Sequence, residues 1–179
     1  INCSRGQLLL DKLRSPHVAS AVEHFFIDEP ETLKWIDGFV DGQTFFDIGA
    51  GVGVYSLYAA LNPGLKVFSF EPGPPIFKRL SDNIALNPEY SQAIIIENLG
   101  VGDENKQLHW SEDLRYQGRG NGSLRVGPDY RNILVDVVTL DYYCQNKGIE
   151  NIDFIKIDVE GMEYEVLKGA KNILGKYQP

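Results

Sequence analysis

Asp47, Gly49, Gly51 and Gly53 stand at alternate positions in the run Phe45-Phe46-Asp47-Ile48-Gly49-Ala50-Gly51-Val52-Gly53. Glycines let a backbone turn sharply and let a ligand approach without meeting a Cβ, and a helix starting there offers unpaired N–H groups. An aspartate at the head of the turn can accept from a ligand ammonium, but it repels a pyrophosphate. A dinucleotide fingerprint is G-x-G-x-x-G, and here the third glycine comes one position early, with Val54 where it should stand. A cationic, amino-acid-bearing nucleotide, S-adenosylmethionine, fits this loop better. Glu71, eighteen residues beyond Gly53 in Phe70-Glu71-Pro72, can accept from ribose hydroxyls. Asp103, in Gly100-Val101-Gly102-Asp103, can face an adenine amino group on the same edge. The blander alternatives are a surface acid before Pro72 and a simple turn aspartate.

A sulfonium methyl is transferred by in-line displacement, so an enzyme chiefly aligns the reacting atoms, and a carboxylate near an acceptor hydroxyl can take its proton. Asp158, followed by Val159-Glu160-Gly161, is the first candidate for that base. Capping of the next helix is the competing reading. Glu160 is a second acid there, although an acid in a first helical turn is favoured by the dipole in any case. Lys156 is expected to point off its strand and pair with a neighbouring acid. His109 is a more distant candidate base, more simply read as an ordinary strand histidine, while His17 and His24 sit in the lead-in.

These residues need strand ends to hold them. Thr44–Ile48 and Lys66–Phe70 read as buried strands, and Ala93–Glu97, almost continuously apolar, reads as a strand covered on both faces. Val54, Leu57, Tyr58 and Leu61 put one apolar stripe on a helix, and Phe77, Leu80 and Ile84 mark another. Strand and helix alternating in this way predict an α/β fold, a mostly parallel sheet with helices on both faces. Gln107–Trp110 and Ile133–Val138 read as inserted strands around a polar, glycine-rich loop, Ser111 to Asn132. Its Arg115, Arg119, Arg125 and Arg131 are expected to form a lid that reads an anionic acceptor. A solvated loop is the alternative. Ile152–Asp158 is the fourth core strand, and Met162, Val166, Ala170 and Ile173 line one following helix. Residues 1–40 are expected as a helical lead-in to a cofactor-binding domain over 41–179. The chain stops one helix after the fourth strand, where an open sheet would normally gain more, so that domain is expected to be incomplete at its C-terminus.

The 179 residues carry a formal charge of −8, which disfavours a phosphate-backbone partner. No run reaches the roughly 18 to 20 apolar residues of a membrane span. Two cysteines far apart, Cys3 and Cys144, imply neither a disulfide framework nor a zinc site, and a reducing, cytoplasmic setting is the default. The triplets Asn2-Cys3-Ser4 and Asn121-Gly122-Ser123 read as chance glycosylation matches.

The glycine run, Phe70-Glu71-Pro72, Asn83-Ile84-Ala85-Leu86-Asn87, Val138-Thr139-Leu140-Asp141 and Ile152-Asp153-Phe154-Ile155-Lys156-Ile157-Asp158-Val159-Glu160-Gly161 together resemble the FkbM-type S-adenosylmethionine-dependent methyltransferases. The last stretch, continuing through Glu165–Ala170, is the most specific, and the likeness covers roughly residues 44–174. It implies a Rossmann-like class I methyltransferase fold and O-methylation of a small-molecule acceptor, such as a sugar or secondary metabolite. It also implies that Asp47, Gly49 and Gly51 hold the methionine part and Glu71 the ribose. Many members have asparagine at the position of Gly51. A non-catalytic cofactor- or nucleotide-binding module is the main alternative, and a nicotinamide oxidoreductase a weaker one. The acceptor, metal dependence and oligomeric state are not encoded in any motif.

Overall fold

The computed structural model describes residues 1–11, 19, 22–113, 122–123 and 130–179. Its centre is a parallel sheet of β3 (Thr44–Ile48), β4 (Lys66–Phe70), β5 (Ile94–Glu97) and β10 (Phe154–Ile157), in the order β10-β3-β4-β5. The register sets Lys156 beside Asp47, and Asp47 beside Ser69. Successive strand residues point to opposite faces, so each strand feeds two cores. Phe45, Val67 and Ile94 pack with Leu57 of α2 (Val54–Ala59) and with Leu80 and Ile84 of α3 (Pro74–Ala85). Phe46, Ile48, Phe68 and Phe70 pack with Leu140 and Tyr143 of α5 (Leu140–Lys147), Val166 of α6 (Glu163–Gly169) and Ile173 of α7 (Lys171–Tyr177). Helices therefore cover both faces, as the α/β alternation predicts.

Four readings are revised. The lead-in is not helical throughout: β1 (Asn2–Cys3) and β2 (Gly6–Gln7) form an antiparallel hairpin, and α1 is Pro30–Asp37. The following segment is pinned to α3, where the Asn87 side chain accepts from the Leu9 amide at 2.8 Å and donates to its carbonyl at 2.7 Å. Leu8, Leu33, Ile36 and Phe39 then join the same core as Phe45, so residues before 41 share the core of the sheet. The third core strand, expected to be covered on both faces, lies at the sheet edge and is half-buried from Ile95 to Glu97.

The inserted strands also extend into what reads as loop. β7 (Lys106–Asp113) pairs antiparallel with β9 (Tyr130–Val138), and β6 (Gly100–Val101) and β8 (Gly122–Ser123) complete a second sheet. Ser111 Oγ donates to Asn132 Oδ1 at 2.6 Å, a polar cross-strand pair that apolar periodicity does not reveal. Finally, the single last helix is two. α6 and α7 meet at Ala170 (φ −108°, ψ 13°), and Asp141 accepts from the Asn172 and Ile173 amides at 3.0 and 2.9 Å, capping the second. The Thr139-Leu140-Asp141 motif is thereby a capping device at both ends, since Thr139 Oγ1 accepts from the Tyr142 amide at the start of α5.

Candidate active site

The carboxyl ends of β3 and β4 lie side by side, and the turn leaving β3 folds over its neighbour. The Gly49 and Ala50 amides both donate to the Phe70 carbonyl, at 3.0 and 2.9 Å. Gly49, Gly51 and Gly53 have φ of +83°, +57° and +87°, conformations that side-chain-bearing residues rarely adopt. Gly49 has a steric reason as well: a Cβ there would lie 1.9 Å from the Asp158 carbonyl oxygen, so only glycine lets the turn cross the end of β10. A Cβ at Gly51 would meet nothing, which leaves that part of the turn open to a ligand.

Glu71 is buried at the end of β4. One carboxylate oxygen accepts from the Gly51 amide at 3.1 Å, and the other from the Gly73 amide, which precedes α3, at 2.8 Å. It thus ties the glycine turn to the next helix. Burial pushes its carboxyl up to about 7, against the pull of the two amides.

Asp47 lies deeper, only 1% exposed. Its Oδ2 accepts from Ser56 Oγ at 2.6 Å, and Ser56 Oγ in turn accepts from Ser69 Oγ at 2.7 Å. Its Oδ1 is buried with no hydrogen-bond partner among the described residues. Such an orphan acceptor ordinarily costs about 1–3 kcal/mol, more when charged, and native structures rarely keep one without a reason. Desolvation raises the carboxyl above its ordinary value, while the neighbouring Lys156 charge opposes that rise.

Asp158 sits at the rim, its side chain 56% exposed, with Oδ2 2.9 Å from Lys156 Nζ. Lys156 is therefore paired with an acid as expected, but its side chain is largely covered, at 10% exposure, with its ammonium 4.8 Å from the centre of the Tyr55 ring. Tyr55, on α2, bonds to Glu29 of the lead-in, and burial raises its hydroxyl pKa. Glu160 is exposed in a left-handed conformation, φ +50°, beside Gly161 at φ +98°. Glu163 accepts from the Gly161 amide at 3.1 Å, an interaction that lowers its pKa.

Asp103 follows β6, and its two oxygens are held by Lys106 at 3.2 Å and Lys168 at 2.9 Å. Both lysine hydrogen bonds lower its pKa. It fastens the β6–β7 turn to α6, where Gly169 packs so closely that a Cβ would lie 1.9 Å from the Gly102 carbonyl oxygen. His109 is exposed on β7, opposite Leu134, in the second sheet. His17, Arg115, Arg119 and Arg125, with the Arg131 side chain, lie outside the described residues.

Asp47, the three glycines and Glu71 are thus gathered at one edge, with Asp158 and Glu160 on the neighbouring strand's exit. Ser56, Ser69 and Tyr55 are additions that the sequence signalled only as positions flanking the motifs. A groove of about 520 Å³ between α5 and α7 contains none of the expected site residues. Among the described residues no three His, Cys, Asp or Glu side chains cluster to hold a metal, and no helix is long and apolar enough to cross a membrane.

The comparisons with known proteins point the same way. The family model for the methyltransferase FkbM domain matches residues 47–179. The chain belongs to this family. Methyltransferase sdnD of Sordaria araneosa is 33% identical over 154 residues, covering 69% of this chain and 59% of the relative. The 31-O-demethyl-FK506 methyltransferase FkbM of Streptomyces tacrolimicus is 30% identical over 157 residues, covering 73% and 60%. Among solved structures, a methyltransferase FkbM from Methylobacillus flagellatus superposes with a TM-score of 0.57 at 23% identity, over 79% of this chain and 32% of that one. That likeness establishes the shared Rossmann-like fold. The chain spans about 60% of the length of these two curated relatives.

Proposed function

We propose that this FkbM domain binds S-adenosylmethionine at the Asp47–Glu71 edge and methylates a hydroxyl of a small molecule. The orphaned Asp47 Oδ1 beneath the glycine turn carries the reading: the site keeps a buried carboxyl with one oxygen that lacks a donor among the described residues, at the place where the parallel strands end. The cofactor supplies an electrophilic methyl on a sulfonium. The surrounding acids, Asp47, Glu71, Asp158 and Glu160, exceed the Lys156 charge and so favour a cation. The open flank of Gly51 gives such a ligand room to approach, and Glu71 holds the turn in shape.

Asp158 is assigned the proton from the acceptor hydroxyl. Lys156 engages its Oδ2, leaving Oδ1 for that task, and its exposure at the rim suits contact with an acceptor. Glu160 is a second rim acid that can orient the acceptor. Asp103, held by two lysines, is assigned to the outer wall on the adenine side. The net charge of −8 supports a small-molecule acceptor over a nucleic acid, and the free Cys3 and Cys144 support a cytoplasmic setting. The name of the Streptomyces relative, a 31-O-demethyl-FK506 methyltransferase, supports transfer to oxygen.

Methyl-labelled S-adenosylmethionine offered with a panel of glycosides and polyketide alcohols tests the reading. Label should pass to an acceptor, and Asp158→Asn should slow transfer about 10²–10⁴-fold while cofactor binding persists. Binding without transfer to any acceptor would favour a cofactor-binding module.

A further inference from the structure

Lysine is among the residues least often buried, because its ammonium is strongly hydrated. Lys156, in the middle of this edge, nonetheless has most of its side chain covered. It lies on β10 between Ile155 and Ile157, and its side chain is 10% exposed. The register that sets Lys156 beside Asp47 and Asp47 beside Ser69 puts all three side chains in one row, on the face that α2 covers with Ser56 and Tyr55.

Two groups contact the ammonium, and a third stands on the neighbouring strand. Asp158 Oδ2 lies 2.9 Å away, the Tyr55 ring centre 4.8 Å away, and the Asp47 carboxylate belongs to the adjacent strand. The Tyr55 ring is steadied from the far side by Glu29. A cation over an aromatic face and against a carboxylate recovers part of its lost hydration. Asp47 has the complementary deficiency, with two serines on one side and an oxygen that has no donor among the described residues.

We infer that Lys156 is a positioning residue of this site: its ammonium, pinned by Asp158 and Tyr55, is the resident counter-charge of the buried Asp47 carboxylate. Among the described residues, the other titratable groups that act on this cluster are acidic: Asp158 on the same strand's exit, Glu71 after β4, Glu160 before α6, and Asp28 and Glu29 beside Tyr55. Removing Lys156 therefore leaves Asp47 buried among acids, and the carboxyl takes a proton rather than stay charged. The site would then meet a cationic ligand with one negative charge fewer. That last consequence rests on the cofactor reading given above; the charge balance itself does not.

The test titrates the Asp47 carboxyl by ¹³C NMR in the ligand-free protein, assigned with Asp47→Asn, and measures S-adenosylmethionine affinity by calorimetry from pH 6 to 9. In Lys156→Gln, Asp47 should titrate about one to three pH units higher than in the wild type. Its cofactor affinity should fall about tenfold or more at pH 6, with the gap closing as pH rises. Lys156→Arg should stay near the wild type in both readouts. Should Lys156→Gln fail to fold, Asp158→Asn serves instead: it frees the ammonium for Asp47, whose titration should move down. An Asp47 titration unmoved in whichever variant folds overturns the inference. A wild type that binds no S-adenosylmethionine refutes the cofactor reading, while the ligand-free titration still decides the role of Lys156.

Discussion

Glu71 offers the sharpest thermodynamic handle on this site. Burial raises its carboxyl from an ordinary 4.5 to about 7 in the folded protein. Between those values the folded chain keeps a proton that the unfolded chain has released, so the contribution of Glu71 to stability falls as pH rises from 4.5 to 7 and is level above. A gap of about 2.5 pH units, at about 1.4 kcal/mol each, amounts to about 3 kcal/mol. Glu71→Gln removes the titration while keeping the shape. Glutamine offers the Gly51 and Gly73 amides one acceptor oxygen, whereas protonated glutamic acid offers a carbonyl and a weaker hydroxyl oxygen, so the stability gap between the two proteins should be constant below about pH 4.5. By pH 8 the gap should have moved in favour of the variant by about 3 kcal/mol. Urea unfolding followed by circular dichroism at half-unit steps from pH 5 to 8 reads the difference directly. Parallel stability curves for wild type and variant across that range would refute the argument, because they would mean that Glu71 is ionised in both states.

Gly49→Ala should lower stability by more than about 2 kcal/mol, combining the strain of a positive φ with a methyl 1.9 Å from the Asp158 carbonyl oxygen. A thermal melt should show Tm at least about 5 °C lower. Asn87→Ala strips both backbone partners from Leu9, next to the fully buried Leu8. Urea unfolding should register a loss of about 2–6 kcal/mol, at about 1–3 kcal/mol for each orphaned group. Asp47→Asn should weaken S-adenosylmethionine binding about 10- to 150-fold in calorimetry, the range expected when a charged hydrogen-bond partner is neutralised. Unchanged affinity would remove Asp47 from the binding account.

The parts of the site that sequence exposes are those fixed by the backbone. Asp47 ends a strand and the glycines follow at alternate positions because the turn needs three positive φ angles and a passage past Asp158, so residue type and place are set together. β3 and β4 are equally plain, being short apolar runs closed by turn residues. Interactions between distant segments are not written locally. The hairpin at residues 2–7 and the stretch after it depend on Asn83 and Asn87, more than seventy positions away, and a reader of residues 1–40 alone sees only apolar spacing compatible with helix. The stripe Met162, Val166, Ala170 and Ile173 runs unbroken through a helix boundary, since the cap that divides it comes from Asp141 on another helix. β7 and β9 reach farther than their apolar cores because Ser111 and Asn132 satisfy each other across the pair. Lys156 shows the same limit within the site. Its pairing with an acid follows from the sequence, but the covering of its side chain, and hence its tie to Asp47, depends on the register of β10 against β3.

Hydrogen–deuterium exchange with and without S-adenosylmethionine tests the central claim most directly. The account predicts slowed exchange in the amides of residues 49–54, Glu71 and Gly73 on adding the cofactor, with little change in α5 and α7. Exchange unaltered at the glycine turn, or protection confined to the groove between α5 and α7, would contradict it.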